Sequence, residues 1–191
     1  VDNVTIAREV LIGGARIIQF RHKTATAREF LRIARELRKI ARESHALFII
    51  NDRADIAYIV DADGVHLGQG DLPVGEARKI VGKGRIIGVS THSMEEALSA
   101  VNDGADYIGF GPVFATASKE KALPPRGIDA LKNVTSQVSI PVIAIGGIHE
   151  DTLQQVLKAG AQGVAMISEL ASAKDVAQKT RAIQKIFSNF K

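Results

Sequence analysis

A chain of 191 residues, 46% of them apolar, can bury one substantial core and is too short for two ordinary domains, so a single domain spanning 1–191 is expected. It contains no cysteine, which excludes a disulfide framework, a thiolate metal site and a catalytic thiol, and fits a reducing, cytoplasmic setting. The formal charge of +4 lies mostly along helical patterns such as REFLRIARELRKIARES, and with only 5% aromatic residues there is no basic and aromatic interleaving to suggest a nucleic-acid partner.

The chain opens on a helical pattern, NVTIAREVLIGGA. RIIQF at 16–20 is short and β-branched and reads as a strand; a helical period then runs over 26–43 behind a capping box, Thr26 with Glu29. The alternation continues with a strand at 46–50 (ALFII), a helix at 53–60, a strand at 63–67 (DGVHL), a helix at 73–81 and a strand at 85–89 (RIIGV). The helix at 93–103 has its own capping box, Ser93 with Glu96. Strands at 106–110 (DYIGF), 141–145 (PVIAI) and 163–167 (GVAMI) follow, with helices at 127–135, 149–159 and 173–187. No run approaches the roughly 20 apolar residues of a membrane helix and no basic-then-apolar leader is present, so no membrane partner is expected.

Short strands alternating with helices mark parallel strands joined by crossovers. GGARIIQF, DADGVHLG, DGADYIGF and AGAQGVAM each place a small or acidic turn before a strand, a weak repeat of one helix-to-strand corner. A doubly wound sheet could use that unit, but it would carry a dominant Gly-rich turn after its first strand, and GQG and GFG lack the G-x-G-x-x-G continuation of a dinucleotide site. The expected fold is therefore an α/β (β/α)8 TIM barrel. Seven strands are visible, so the first strand is expected ahead of Val1 and outside this sequence.

Chemistry in such a barrel sits where strands end. The residues there are Gln19, Arg21 and Lys23; Asn51 and Asp52; Gln69 and Asp71; Ser90; Thr116, Ser118 and Lys119; Gly146 and Gly147; Ile167 and Ser168. Cations beside two Asp residues from neighbouring strands suit a polyanion with a divalent cation, and hard carboxylate oxygens suit Mg²⁺ on a diphosphate. The competing reading makes Asp52 and Asp71 caps of the helices that follow them. Gly146 and Gly147, with Ser168 opening a short helix after the last strand, suit a phosphate monoester or else a plain glycine turn. Segment 111–125 (GPVFATASKEKALPP) shows neither period and is long for a connection, which suits closure over phosphates. Ser90, Thr91 and His92 are not read as nucleophile and base, since strand neighbours point to opposite faces. His66 is expected to be a hydrogen-bonded interior residue, and Met94 and Met166 to be packing.

QFRHK (19–23), INDRADIA (50–57), DGVHLGQGDLP (63–73), IGVSTHS (87–93), DYIGFGPVFATASK (106–119) and PVIAIGGI (141–148) closely resemble, in order, the motifs of the thiamine-phosphate synthase family. The resemblance implies a barrel enzyme, a transferase, that joins hydroxymethylpyrimidine diphosphate to hydroxyethylthiazole phosphate with Mg²⁺, releasing diphosphate. It implies that Gln19, Phe20, Arg21, His22, Lys23, Asn51, Ser90 and Lys119 hold the pyrimidine diphosphate, with Arg21, Lys23, Lys119 and Ser90 catalytic, and that Asp52 and Asp71 bind Mg²⁺. Thr116, Ala117, Ser118, Gly147, Ile167 and Ser168 would hold the thiazole phosphate. His22 departs from the family's usual Glu, and Ala117 and Ser118 from its Pro-Thr. Two rival readings are a thiazole tautomerase of the same superfamily and a silent phosphate-binding barrel; a homo-oligomer is compatible with all three.

Overall fold

The structure, a computed structural model, describes residues 2–116 and 123–190. Its elements are α1 (Asn3–Ile12), β1 (Ile17–Phe20), α2 (Ala27–Glu43), β2 (Leu47–Asn51), α3 (Ala54–Ile59), β3 (Gly64–Leu67), α4 (Val74–Val81), β4 (Ile86–Thr91), α5 (Met94–Asn102), β5 (Tyr107–Phe110), α6 (Gly127–Gln137), β6 (Val142–Ile145), α7 (Leu153–Lys158), β7 (Gly163–Ala165), α8 (Ser168–Ala171) and α9 (Val176–Phe190). Every neighbouring pair of strands is parallel and the order is β1 to β7 in sequence, a TIM-barrel-like α/β arc. Where a ring of eight strands is expected, seven are seen, and among the described residues β1 and β7 are the two edges. No helix among them is long and apolar enough to cross a membrane.

The helices form as their patterns predict. In α2 the buried residues Phe30, Ile33, Ala34, Leu37, Ile40 and Ala41 recur every three or four positions, and Thr26 Oγ1 accepts the Glu29 N–H at 3.3 Å. Ser93 caps α5 the same way, accepting from Glu96 N at 3.2 Å. The return half of that box differs: the Glu96 carboxylate accepts from His92 N at 2.7 Å and lies 2.9 Å from His92 Nδ1. The strand expected over 163–167 stops at Ala165, because Ile167 leaves the sheet for the N-cap position of α8, where its carbonyl accepts from Ala171 N.

Strand residues alternate between two faces. Phe48, Ile50, Val65, Leu67, Ile87, Ile108, Phe110, Val142 and Ala144 are almost wholly buried in the main core, under the helices. The alternate positions face inward, and there polar residues and glycines interleave: His66 opposes Gly88, Gly88 opposes Tyr107, and Ser90 opposes Gly109. A Cβ on Gly88 would lie 2.1 Å from Tyr107 Cζ, and one on Gly109 3.1 Å from His66 Cε1. Two rings thus occupy the space two glycines leave open.

The weak repeat has a physical explanation at the amino ends of the strands. Asp63 donates its N–H to Phe48 O while its Oδ2 accepts from Phe48 N at 2.8 Å; Asp106 treats Ile87 in the same way, and Gln162 does so for Val142. Each turn residue therefore extends the ladder by one position and pins its register. Arg38 and Arg78 neutralise Asp63 and Asp106 at 2.6 and 2.7 Å. This end of the arc is built for stability; in barrel folds the opposite, carboxyl end of the strands is where chemistry sits.

Candidate active site

The carboxyl ends of β1, β2 and β3 converge on one charged cluster. Lys23, just past β1, places Nζ 3.5 Å from Asp52 Oδ2 at the end of β2. With the Lys23 side chain 60% exposed, such a pair stabilises the fold by under about 1 kcal/mol, so stability does not account for it. Asp71, after β3, is pushed above its usual carboxyl range first by burial and then by the neighbouring Asp52 carboxylate; the Gly68 N–H and Lys23 pull the other way. Two carboxylates thus face one another beside a single ammonium group.

Neither carboxylate is spent on a helix. The first residues of α3 and α4 receive no side-chain cap, so the capping reading of Asp52 and Asp71 is overturned. Asp71 Oδ2 instead accepts from Gly68 N at 2.6 Å, closing its own loop. Asp52 adopts a left-handed backbone, φ 65°, while its N–H remains bound to His66 O at 2.8 Å. Hard oxygen donors of this number and kind fit Mg²⁺, which takes one or two carboxylates together with phosphate oxygens and water. Among the described residues no group of three or more His, Asp or Glu side chains could hold a metal by itself.

The other predicted residues are placed as follows. Asn51, at the end of β2, is 8% exposed. Arg21 is exposed and makes no ion pair among the described residues. Phe20 differs from its neighbours: its ring packs on Phe30, 4.5 Å between centroids, so its side chain belongs to the helix layer and not to the cluster. His22 Nδ1 accepts from Ala25 N at 3.1 Å, folding the side chain onto its own loop. Gln69 Nε2 donates to Ser90 O at 2.8 Å, tying the β3 loop to the end of β4.

Behind the cluster runs a string of polar groups that spacing did not reveal. Gln19 hydrogen-bonds the Tyr107 phenol, Tyr107 Oη lies 2.8 Å from His66 Nδ1, and His66 Nε2 lies 2.9 Å from Ser90 Oγ. Burial pushes the Tyr107 phenol far above its ordinary range, with Gln19 opposing, so it stays protonated. His66 is the interior, hydrogen-bonded histidine expected of it, and His92, turned to Glu96, is no base for Ser90. Tyr107 was missed; the signal for it was the pair of inward glycines, Gly88 and Gly109, on the strands beside it.

On the far side of the mouth, Gly146 and Gly147 follow β6 with φ of 95° and 62°. A Cβ on Gly147 would lie 2.4 Å from Ala115 O, so these glycines also serve the close approach of the 112–115 chain. That chain is ordered where no element was expected: Val113 N donates to Ile145 O and Phe114 N to Gly146 O, leading to Thr116. Ala117, Ser118 and Lys119 lie outside the described residues. Ile167, 57% exposed, stands at the N-cap position of α8 without a side-chain cap, and Ser168 opens the helix. A clamp holds α8 against the β6 loop: Glu169 faces His149 Nδ1 at 2.6 Å, and Lys179 of α9 reaches Glu169 at 2.7 Å and Glu150 at 2.8 Å. Hydrogen bonds to Glu150 and Glu169 push Lys179 up to about 12; burial opposes the charge of Glu169, yet His149 and Lys179 outweigh it and hold that carboxyl below its usual range.

A parallel α/β arc with a carboxylate pair, a lysine and a second loop cluster at its carboxyl end defines a TIM-barrel-like enzyme. Residues 1–170 match the family described as thiamine monophosphate synthase. The chain is 53% identical over 168 residues to a thiamine-phosphate synthase of Chlorobium phaeovibrioides, covering 88% of this chain and 80% of that one. It is 44% identical over 183 residues to one from Chloroflexus aurantiacus, covering 96% and 84%. A solved thiamine phosphate pyrophosphorylase from Pyrococcus furiosus superposes with a TM-score of 0.93 at 44% identity, over 99% of this chain and 91% of that one. The chain belongs to the thiamine-phosphate synthase family and is a transferase.

Proposed function

We propose that this chain joins hydroxymethylpyrimidine diphosphate to hydroxyethylthiazole phosphate, giving thiamine phosphate and diphosphate, with Mg²⁺ bound by Asp52 and Asp71 and with the seven-stranded arc as the greater part of a (β/α)8 barrel. The observation that carries the reading is the meeting of Lys23, Asp52 and Asp71 from three successive strands, with both carboxylates unspent on helix caps.

The bond that breaks joins the pyrimidine methylene carbon to a diphosphate oxygen, which keeps the electron pair; the thiazole nitrogen lone pair then forms the new C–N bond. The aminopyrimidine ring can delocalise the positive charge left on the carbon, so the protein must chiefly stabilise charge on the leaving group and hold the nucleophile close. Mg²⁺, when bound, supplies Lewis acidity toward the diphosphate. Arg21 and Lys23 add positive charge on the same side, and Lys119 is assigned there as well. Asn51 and Gln19 orient the pyrimidine. Thr116, Ala117, Ser118, Gly147, Ile167 and Ser168 anchor the thiazole phosphate, with α8 fixed by the Glu169–Lys179 clamp. No general base is needed, in keeping with a Ser90 whose imidazole partner lies deep in the interior.

The test is to mix the protein with both substrates, with and without Mg²⁺, and follow thiamine phosphate. Metal-dependent product is expected. Isomerised thiazole without coupling would point to a tautomerase, and binding without turnover to a silent barrel.

A further inference from the structure

Behind the predicted pyrimidine site, the Gln19, Tyr107, His66 and Ser90 string joins four strands, β1, β5, β3 and β4. Its two central rings sit in space cleared by Gly88 and Gly109, and His66 is only 7% exposed. A buried polar string of this kind costs free energy unless each member is satisfied. A neutral imidazole donates from one nitrogen and accepts at the other, so the string must run in one of two directions.

In one direction Tyr107 donates to Nδ1, Nε2–H donates to Ser90 Oγ, and the Ser90 proton turns toward the ligand. In the other, the Gln19 amide is turned so that Oε1 accepts from Tyr107, Nδ1–H donates to Tyr107, and Nε2 accepts a hydrogen bond from the Ser90 hydroxyl, leaving Ser90 with lone pairs toward the ligand. The chemistry selects between them. As the C–O bond of the proposed reaction breaks, the ring becomes cationic and its exocyclic amine feeds electrons into it. A hydroxyl accepting from that amine strengthens the donation, whereas one donating to the ring withdraws density at the wrong moment.

We infer that His66 is a positioning residue which, held by Tyr107 and Gln19, accepts a hydrogen bond from the Ser90 hydroxyl at Nε2 and so leaves the Ser90 oxygen as an acceptor for the aminopyrimidine amine. The inference rests on the proposed coupling reaction. Its site acts on the ring during bond breaking and not on the thiazole phosphate, which sits across the mouth.

The experiment is a double-mutant cycle in the coupling assay with His66→Leu, Ser90→Ala and the pair, and Tyr107→Phe alongside. His66→Leu should lower kcat by roughly tenfold to a hundredfold, the range of one directed hydrogen bond, with KM for the thiazole phosphate unchanged. The double variant should be no slower than Ser90→Ala alone, and Tyr107→Phe should lower kcat by a smaller factor. Losses that multiply, or a thiazole KM that rises as far as kcat falls, would overturn the role. If His66→Leu fails to fold, the imidazole ¹⁵N spectrum of the unsubstituted protein decides: Nδ1 protonated and Nε2 bare supports the inference, and the reverse tautomer overturns it. An unsubstituted protein that makes no thiamine phosphate would sink the coupling reaction itself, a result distinct from any change among the variants.

Discussion

Gly88→Ala is the sharpest single test of how the interior is built. The added methyl would stand 2.1 Å from Tyr107 Cζ, 2.3 Å from Cε1 and 2.5 Å from Oη, where real carbon contacts do not occur. Gly88 has no positive φ, so the penalty is steric and not conformational. The ring is held at its hydroxyl by His66, and strand β4 is paired on both sides, so neither can yield cheaply. Overpacking of this sort costs about 1–3 kcal/mol, and the rigid surroundings place the cost at the upper end, about 3 kcal/mol. In a chain of this size that lowers the melting temperature by about 6–12 °C. Thermal and urea melts of Gly88→Ala, Tyr107→Ala and the double variant measure it. The double variant should be at least about 1 kcal/mol more stable than the two single losses predict, because removing the ring frees the methyl's space. A Gly88→Ala protein melting within about 0.5 kcal/mol of the parent would refute the packing described for the interior.

Asp52→Ala and Asp71→Ala should each cost several kcal/mol in kcat/KM at limiting Mg²⁺, read by steady-state kinetics across a metal titration; near-normal rates in both would remove the metal assignment. His22→Glu should leave turnover within about tenfold, or roughly 1.4 kcal/mol, since a carboxylate oxygen can replace Nδ1 as acceptor for Ala25 N. Hydrogen bonds to Glu150 and Glu169 raise Lys179 from its ordinary 10.5 to about 12, so its contribution is full below pH 10.5 and lost as pH climbs toward 12. Lys179→Met should therefore melt lower than the parent at pH 9, by about 1 kcal/mol after solvent screening, with the two melting curves converging near pH 12. Its KM for the thiazole phosphate should rise as α8 loosens.

Much of this architecture was readable in the chain. The strand and helix alternation predicted all seven strands within one or two residues, and the capping pairs at Thr26 and Ser93 located their helices. Asp52 and Asp71 stood out because strand ends are where barrels do chemistry, but composition could not decide between cap and ligand; the uncapped starts of α3 and α4 remove the cap. The interior string was illegible for a different reason. His66 and Tyr107 lie 41 residues apart, and their meeting depends on the register of β3, β4 and β5, which no local pattern encodes. Phe20 illustrates the converse: it sits inside the QFRHK motif, yet strand alternation turns it toward α2.

Asp52 shows what the chemistry demands of the fold. A carboxylate-bearing residue is held at φ 65°, a region that costs a residue with a Cβ about 1 kcal/mol and glycine almost nothing. Asp52→Gly should thus yield a protein at least as resistant to urea as the parent and without metal-dependent turnover. Selection for durability alone would discard this aspartate; under the proposed metal role, its presence is a compromise in which thermodynamic comfort is surrendered to hold an oxygen where a cation can find it.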